Sequence, residues 1–156
     1  MYLNCHTGFS FKYGTLAIEG LFDEAKRCGV RKLALTEINN TASYMEMLWI
    51  CEKTRLHKNG LTKFGKEPYD LDIAVGVEFR KEDQLLYIAI AKNNAGFETI
   101  NRFLSYKNRE ATAFPMRAPD WEDVFTIYPF GKVDPAILRD HEYIGVGKQD
   151  LHHYSI

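Results

Sequence analysis

Apolar residues first gather in the short run Tyr2 to Cys5, which reads as a strand that delivers His6 to its end. Thr7 to Gly14, small and aromatic residues, then turns the chain back as a loop. Ile18, Leu21, Phe22, Ala25 and Cys28 follow at helical intervals, and Gly29 supplies the stop. Lys32 to Thr36 is a short apolar strand ending at Glu37. Strand, helix and strand, with a turn at each junction, predict a parallel crossover. Asn39-Asn40-Thr41 breaks the pattern, and Thr41 or Ser43 can cap a second helix with the apolar face Tyr44, Met45, Leu48, Trp49, Cys51 and Leu56. Met45 and Trp49, at helical spacing, are expected in the core rather than on a base-stacking platform.

The stretch Lys58 to Asp70, with Gly60, Gly65 and Pro68, reads as loop. Leu71 to Val77 is a near-continuous apolar strand ending at Glu78, and Leu85 to Ala91 is another, reached through the charged turn Arg80 to Asp83. Phe97, Ile100, Phe103 and Leu104 mark a third helix starting near Ala95. Asn108 to Pro119 is irregular and charged, a surface excursion too short to link domains. Val124 to Tyr128 reads as a strand, Pro135 to Leu138 as a short helix, and Tyr143 to Val146 as a last strand. The alternation predicts one α/β domain over residues 1–156 with a parallel sheet, open or barrel-like. A closed eight-stranded barrel takes about 250 residues, so the pattern fits an incomplete barrel.

Composition narrows the function. Of 156 residues, 46% are hydrophobic and 26% charged, the balance of a globular fold. Twenty basic side chains against 21 acidic ones leave a net charge of −1, which gives no global electrostatic case for nucleic acid or anionic membrane. No apolar run approaches the roughly 20 residues that span a bilayer, and no signal-peptide pattern opens the chain. Three distant cysteines, Cys5, Cys28 and Cys51, form neither a zinc pair nor a disulfide framework and suggest a reducing cytoplasm.

Candidate chemistry sits at the strand ends. His6, Glu37 and Glu78 are a ligand set suited to zinc, manganese or iron; the competing reading is that the two glutamates cap loops or pair with Lys and Arg. His57, His141, His152 and His153 read as solvated surface residues. Lys92, Arg102, Lys107 and Arg109 read either as a basic face around the third helix or as a solvated helix face diluted by Glu98 and Glu110. Asp70 and Asp72 form a strand-edge pair with no partner signal.

The stretches Leu3 to Ser10, Leu33 to Asn40, Ala74 to Phe79, Ile90 to Phe97 and Asn101 to Leu104, in that order, resemble the polymerase and histidinol phosphatase (PHP) domain. The version they resemble is the one at the N-terminus of the alpha subunit of bacterial DNA polymerase III. The resemblance implies a distorted seven-stranded β/α barrel, with this chain covering roughly its first half to two-thirds and the polymerase palm, fingers and thumb lying elsewhere. It also implies positions for metal ligands. The first motif, His-x-His followed by an aspartate, has Asn4, His6 and Tyr13 here. The second, ending Asp-His, has Glu37 and Ile38; the third keeps Glu78; and Leu86 stands where a further histidine is common. Isoleucine and leucine donate no lone pair, neutral asparagine is a weak ligand, and tyrosine is a poor one unless ionised.

The resemblance therefore implies the family's fold with its metal chemistry lost and no catalytic residue in this stretch. The expected role is a structural and interaction module without a cofactor. Expected partners are the rest of a polymerase alpha subunit, the proofreading exonuclease subunit and other replisome subunits, with DNA met through the full-length protein and no membrane. The alternative is a residual zinc- or manganese-dependent phosphoesterase using His6, Glu37 and Glu78, with Asn4 as a weak fourth ligand. A free-standing nucleic-acid-binding module is a third reading, which the near-zero charge argues against.

Overall fold

A computed structural model describes residues 2–60, 67–148 and 150, which fall into two compact units, one up to Val75 and one from Gly76 onward. The first unit contains β1 (Tyr2–Cys5), α1 (Ile18–Arg27), β2 (Lys32–Ile38), α2 (Ser43–Lys58) and the start of β3 (Asp72–Lys81). The second contains the rest of β3, β4 (Gln84–Ala91), α3 (Asn94–Glu110), β5 (Val124–Pro129), a 3-10 turn (Pro135–Ile137) and β6 (Glu142–Gly145). The predicted loop Lys58 to Asp70 lies in part outside the described residues. No described helix is long and apolar enough to cross a membrane.

In the first unit β1 and β2 pair in parallel, Tyr2 with Leu33 and Cys5 with Leu35, as the crossover pattern predicts. The crossover helix α1 ends at Arg27, and Gly29 takes the left-handed conformation (φ +67°) that lets the chain reverse at no Cβ cost. The core joins Ile18, Phe22 and Ala25 of α1 to Leu33 and Leu35 of β2 and to Met47 and Ile50 of α2. α2 departs from its predicted face. Met45, Leu48 and Trp49 are exposed, at 70%, 41% and 58%, while Met47, Ile50 and Thr54 are buried. Thr54 is hidden from the hydrophobic pattern because its hydroxyl bonds back to the Ile50 and Cys51 carbonyls, which lets a polar residue occupy a core position.

The second unit corrects the all-parallel expectation. β3 does not end at Glu78 but runs on to Lys81, and two residues, Glu82 and Asp83, turn it into β4. Glu82 has a φ of +53°, and a two-residue connection can join only antiparallel neighbours. β3 and β4 accordingly pair antiparallel, with Glu78 opposite Ile88. β4 and β5 are antiparallel as well, Ala91 opposite Val124, although α3 intervenes. The reason is the segment after α3, which leads the chain back to the helix N-terminus. There Lys92 N–H donates to the Asp123 carbonyl at 2.9 Å, and Asn93 Nδ2 donates to Asp123 Oδ1 at 2.8 Å. β5 and β6 return to parallel pairing. The fold is thus α/β with a mixed sheet.

α3 is capped by the Asn93 side chain, which accepts from Gly96 N–H, and it packs Ile100 and Leu104 onto Val77, Tyr87, Ala89 and Val124. The centre of this core is aromatic. The Phe79 ring lies 5.0 Å from both Tyr87 and Phe114 and 5.7 Å from Phe103. Tilted and edge-on rings of this kind add to simple area burial.

Candidate functional site

In the first unit the site is built around Glu37. β2 carries this glutamate into the interior, where it is 1% exposed, one residue before the strand ends. A buried carboxylate must find donors, and the loop after β1 supplies them. Thr7 Oγ1 donates to Oε1 at 2.6 Å, and the Thr7 backbone N–H lies 3.2 Å from both carboxylate oxygens. Ser10 Oγ donates to Oε2 and in turn accepts the Ile38 N–H at 2.9 Å. Thr7 and Ser10 are themselves buried.

The loop is compact for further reasons. Ser10 N–H reaches the Thr7 carbonyl at 2.9 Å, and Gly14 N–H reaches the Ser10 carbonyl at 2.9 Å. Gly14 lies so close to Thr7 that a Cβ there would stand 1.8 Å from the Thr7 carbonyl oxygen. Only glycine permits that approach. The apolar residues of the loop face outward, Phe9 and Tyr13 about two-fifths exposed and Phe11 at 84%.

The other positions picked out from sequence in this unit have different fates. Asn4 uses its side-chain oxygen to accept from Thr36 Oγ1 at 2.7 Å. His6 is half-buried, Tyr13 is exposed, and Ile38 is half-buried. Burial pushes the thiols of Cys5 and Cys51 above their ordinary value, and all three cysteines are free. Asp70 and Asp72 do find partners, at 3.9 Å from Arg31 and 3.6 Å from Lys32, in exposed ion pairs.

In the second unit Glu78 is fully buried. Its strand register sets it in a cross-strand row with Ile88, Ile127 and Tyr143. The charge is answered by Arg80, two residues on and therefore on the same face of β3, whose Nε donates to Oε1. The competing reading of Glu78, a glutamate paired with a basic side chain, is the geometry observed. Leu86 is part of the aromatic core at 2% exposure. Within either unit taken alone, the described residues contain no group of three His, Cys, Asp or Glu side chains placed to hold a metal ion.

Sequence reasoning missed the most heavily bonded group of the second unit, Glu142. Its side chain is fully buried and accepts from Tyr128 OH at 2.9 Å, Arg117 Nη2 at 3.1 Å, Arg139 Nη1 at 3.0 Å and Arg139 N–H at 3.0 Å. Burial pushes its pKa up, but the bonds from Arg139 N–H, Tyr128 and Arg117 outweigh this and hold the carboxyl below its ordinary value. Burial, with the Glu142 bond adding to it, pushes the Tyr128 phenol up to about 12. Arg139 Nη1 also donates to the Ala118 carbonyl at 3.2 Å, and Ala118 N–H to Tyr128 OH at 3.1 Å. The group thus fastens the irregular segment after α3 to β5 and β6.

His141 corrects another expectation. Its side chain is 15% exposed and its Nε2 lies 3.2 Å from Asp120, so it is not a solvated surface residue. His152, His153 and the His57 side chain lie outside the described residues. The basic residues near α3 are taken up locally: Arg102 pairs with Glu98 at 2.6 Å, Arg109 with Glu110 at 3.2 Å, and Lys92 donates to the Glu122 carbonyl at 2.6 Å. Lys107 lies 5.7 Å above the Phe103 ring. These contacts fit the solvated helix face better than a vacant basic patch.

Comparison with known proteins places these observations. The chain is similar to DNA polymerase III subunit alpha from two strains of Staphylococcus epidermidis, 30% identical over 104 residues in each case. That match covers 67% of this chain but only 9% of either relative, so the chain spans a small part of their length. The family model for the PHP domain matches residues 3–142, nearly all of the described chain, and the protein belongs to that family.

Proposed function

We propose that this chain serves as a partial PHP domain of a DNA polymerase III alpha-type polymerase, in which the family's metal site has become a structural device. The observation that carries this reading is the bonding of Glu37. Both of its oxygens are engaged by Thr7 and Ser10, so the carboxylate that would turn toward a metal holds a loop instead. Asn4 is engaged by Thr36, and Ile38 and Leu86 carry no donor atom at positions where the resemblance places ligands. The donors within the first unit do not fit a two- or three-metal phosphoesterase centre, which needs several imidazoles and bridging carboxylates.

On this reading the module braces the polymerase core and offers a surface to the proofreading exonuclease subunit and other replisome subunits, in the cytoplasm. DNA is met through the full-length polymerase. Metal analysis after chelation and reloading with zinc or manganese tests the proposal, alongside hydrolysis of a generic phosphodiester. The expected result is no stoichiometric metal and no hydrolysis above buffer. Stoichiometric metal that disappears in folded His6→Ala and Glu78→Ala variants would overturn it. That result would favour the second reading, a residual phosphoesterase, whose support is the retention of His6, Glu37 and Glu78 as residue types. Deleting the whole domain from a full-length polymerase alpha subunit should weaken exonuclease recruitment or polymerase stability; leaving both unchanged would count against the interaction role.

A further inference from the structure

α2 ends at Lys58, and the next two residues are Asn59 and Gly60. Asn59 N–H still reaches the Arg55 carbonyl at 3.3 Å, so Asn59 closes the helix and Gly60 is the first residue beyond it. Gly60 takes the left-handed conformation (φ +73°) that commonly stops a helix. Both residues are exposed, and a Cβ built on Gly60 would meet nothing within 4 Å. In any chain, the backbone nitrogen after an asparagine can close a five-membered ring on the side-chain amide carbon. A Cβ on the second residue hinders that approach, and glycine alone lacks one. Every other asparagine in the sequence is followed by a residue with a Cβ. Three of them also have their amide nitrogens tied down: Asn40 to the Ile38 carbonyl at 2.8 Å, Asn93 to Asp123 at 2.8 Å and Asn101 to the Phe97 carbonyl at 2.9 Å.

We propose that Asn59–Gly60 is a self-modification site, where the chain loses the Asn59 amide in water without an enzyme. Base takes the Gly60 backbone proton, and that nitrogen attacks Asn59 Cγ. A new N–C bond forms, the bond from Cγ to the amide nitrogen breaks, and that nitrogen leaves as ammonia with the proton returned. Water then opens the cyclic imide at either carbonyl, giving aspartate or isoaspartate. No oxidant or reductant takes part. Either product sets a new carboxylate at the C-terminal end of α2, where the helix already carries partial negative charge. Isoaspartate also adds one atom to the backbone between α2 and Gly60, so the left-handed stop must be rebuilt. The last turn of α2 is thereby loosened, while Met47, Ile50 and Thr54 keep their buried places further up the helix. Because the chain itself sets the rate, the modified fraction records the age of the molecule. The proposal stands apart from the function above, since it needs neither a metal nor a partner.

Incubation of the folded 156-residue chain at body temperature and mildly alkaline pH, in water enriched in the heavy oxygen isotope, tests it. Trypsin cuts after Lys58, so the peptide that begins at Asn59 can be weighed by itself. The expected result is a gain of about 3 Da in that peptide, which resolves into an aspartate and an isoaspartate form on chromatography. Reaction during digestion in ordinary water adds only about 1 Da and is set apart in this way. The gain should slow at mildly acidic pH, because the Gly60 nitrogen must lose its proton to attack. Asn59→Gln should abolish the gain, since its longer side chain would have to close a six-membered ring. No gain in the folded chain would overturn the proposal, and the same chain in guanidinium shows whether the fold is what prevents ring closure. A gain that falls on another asparagine, or that persists in Asn59→Gln, would overturn it as well.

Discussion

Thr7 Oγ1 donates to Glu37 Oε1 at 2.6 Å, joining residues 30 apart in the chain, and the same carboxylate takes the Thr7 N–H and the Ser10 hydroxyl. Glu37→Ala would leave three buried donors without an acceptor. Each buried, unsatisfied group costs about 1–3 kcal/mol, partly offset where the loop relaxes toward water, so a net loss of about 2–4 kcal/mol is expected. Urea denaturation measures it, and chymotrypsin should cut faster at Phe9, Phe11 and Tyr13 once the loop is released. An unchanged urea midpoint and an unchanged cleavage rate would show that the carboxylate does not hold the loop.

Gly14 gives a separate handle on the same loop. A methyl group there meets the Thr7 carbonyl oxygen at 1.8 Å, so the Thr7–Ser10 turn must move and its bonds to Glu37 with it. Gly14→Ala should cost about 1–3 kcal/mol and lower the thermal midpoint by several degrees. Gly8→Ala is the control. Its nearest obstacle is the Leu16 carbonyl oxygen at 3.8 Å, ordinary contact, and its melt should stay close to the parent's.

These two residues also mark where sequence reading stops. The strand ending at Cys5, the helix ended by Gly29 and the strand carrying Glu37 are all visible, because each rests on local periodicity and turn chemistry. That Glu37 is a candidate is visible too. That its donors would be Thr7 and Ser10 is not, since a hydroxyl in a loop carries no signal of what it bonds. The direction of β5 was illegible for a similar reason. α3 reads as a crossover helix, and nothing periodic announces that the segment after it returns to Asp123 beside the helix start. Glu142, Arg117 and Arg139 sit in or beside irregular segments, where charges look solvated until the fold gathers them.

The two faces of α2 separate cleanly by substitution. Met47→Ala or Ile50→Ala removes core packing against α1 and β2 and should cost about 2–4 kcal/mol. Met45→Gln should fall within about 0.5 kcal/mol of the parent, because the residue is 70% exposed. Trp49→Gln should be nearly as mild, losing the Lys53 ammonium that lies 4.1 Å above its ring. Chemical denaturation of the four variants checks the assignment, and a large loss in Met45→Gln with none in Met47→Ala would reverse it.

Acid should act on the second unit through Glu142. Its folded pKa lies below the ordinary 4.5, because the bonds from Arg139 N–H, Tyr128 and Arg117 favour the ionised form more than burial disfavours it. The sign follows from linkage. A carboxyl depressed by folding adds stability that is fully present above its ordinary pKa and disappears as the pH falls through its folded value. The denaturation midpoint should therefore fall below about pH 4.5 and keep falling until Glu142 is protonated. Other carboxyls titrate over the same range, so the difference between the parent and Glu142→Gln isolates this one. At neutral pH Glu142→Gln should be less stable by about 1–3 kcal/mol, since it weakens the bonds from Tyr128, Arg117 and Arg139, while the two guanidinium groups stay part-exposed and Arg139 keeps Asp120 at 3.7 Å. The gap should narrow as the pH falls through the folded value, because the parent's carboxyl then becomes neutral as well. Arg117→Gln should lose less, as Arg139 still holds the carboxylate with two bonds. A gap that stays constant from neutral pH into acid would show that folding does not lower the pKa of Glu142, and that its bonds do not favour the ionised form.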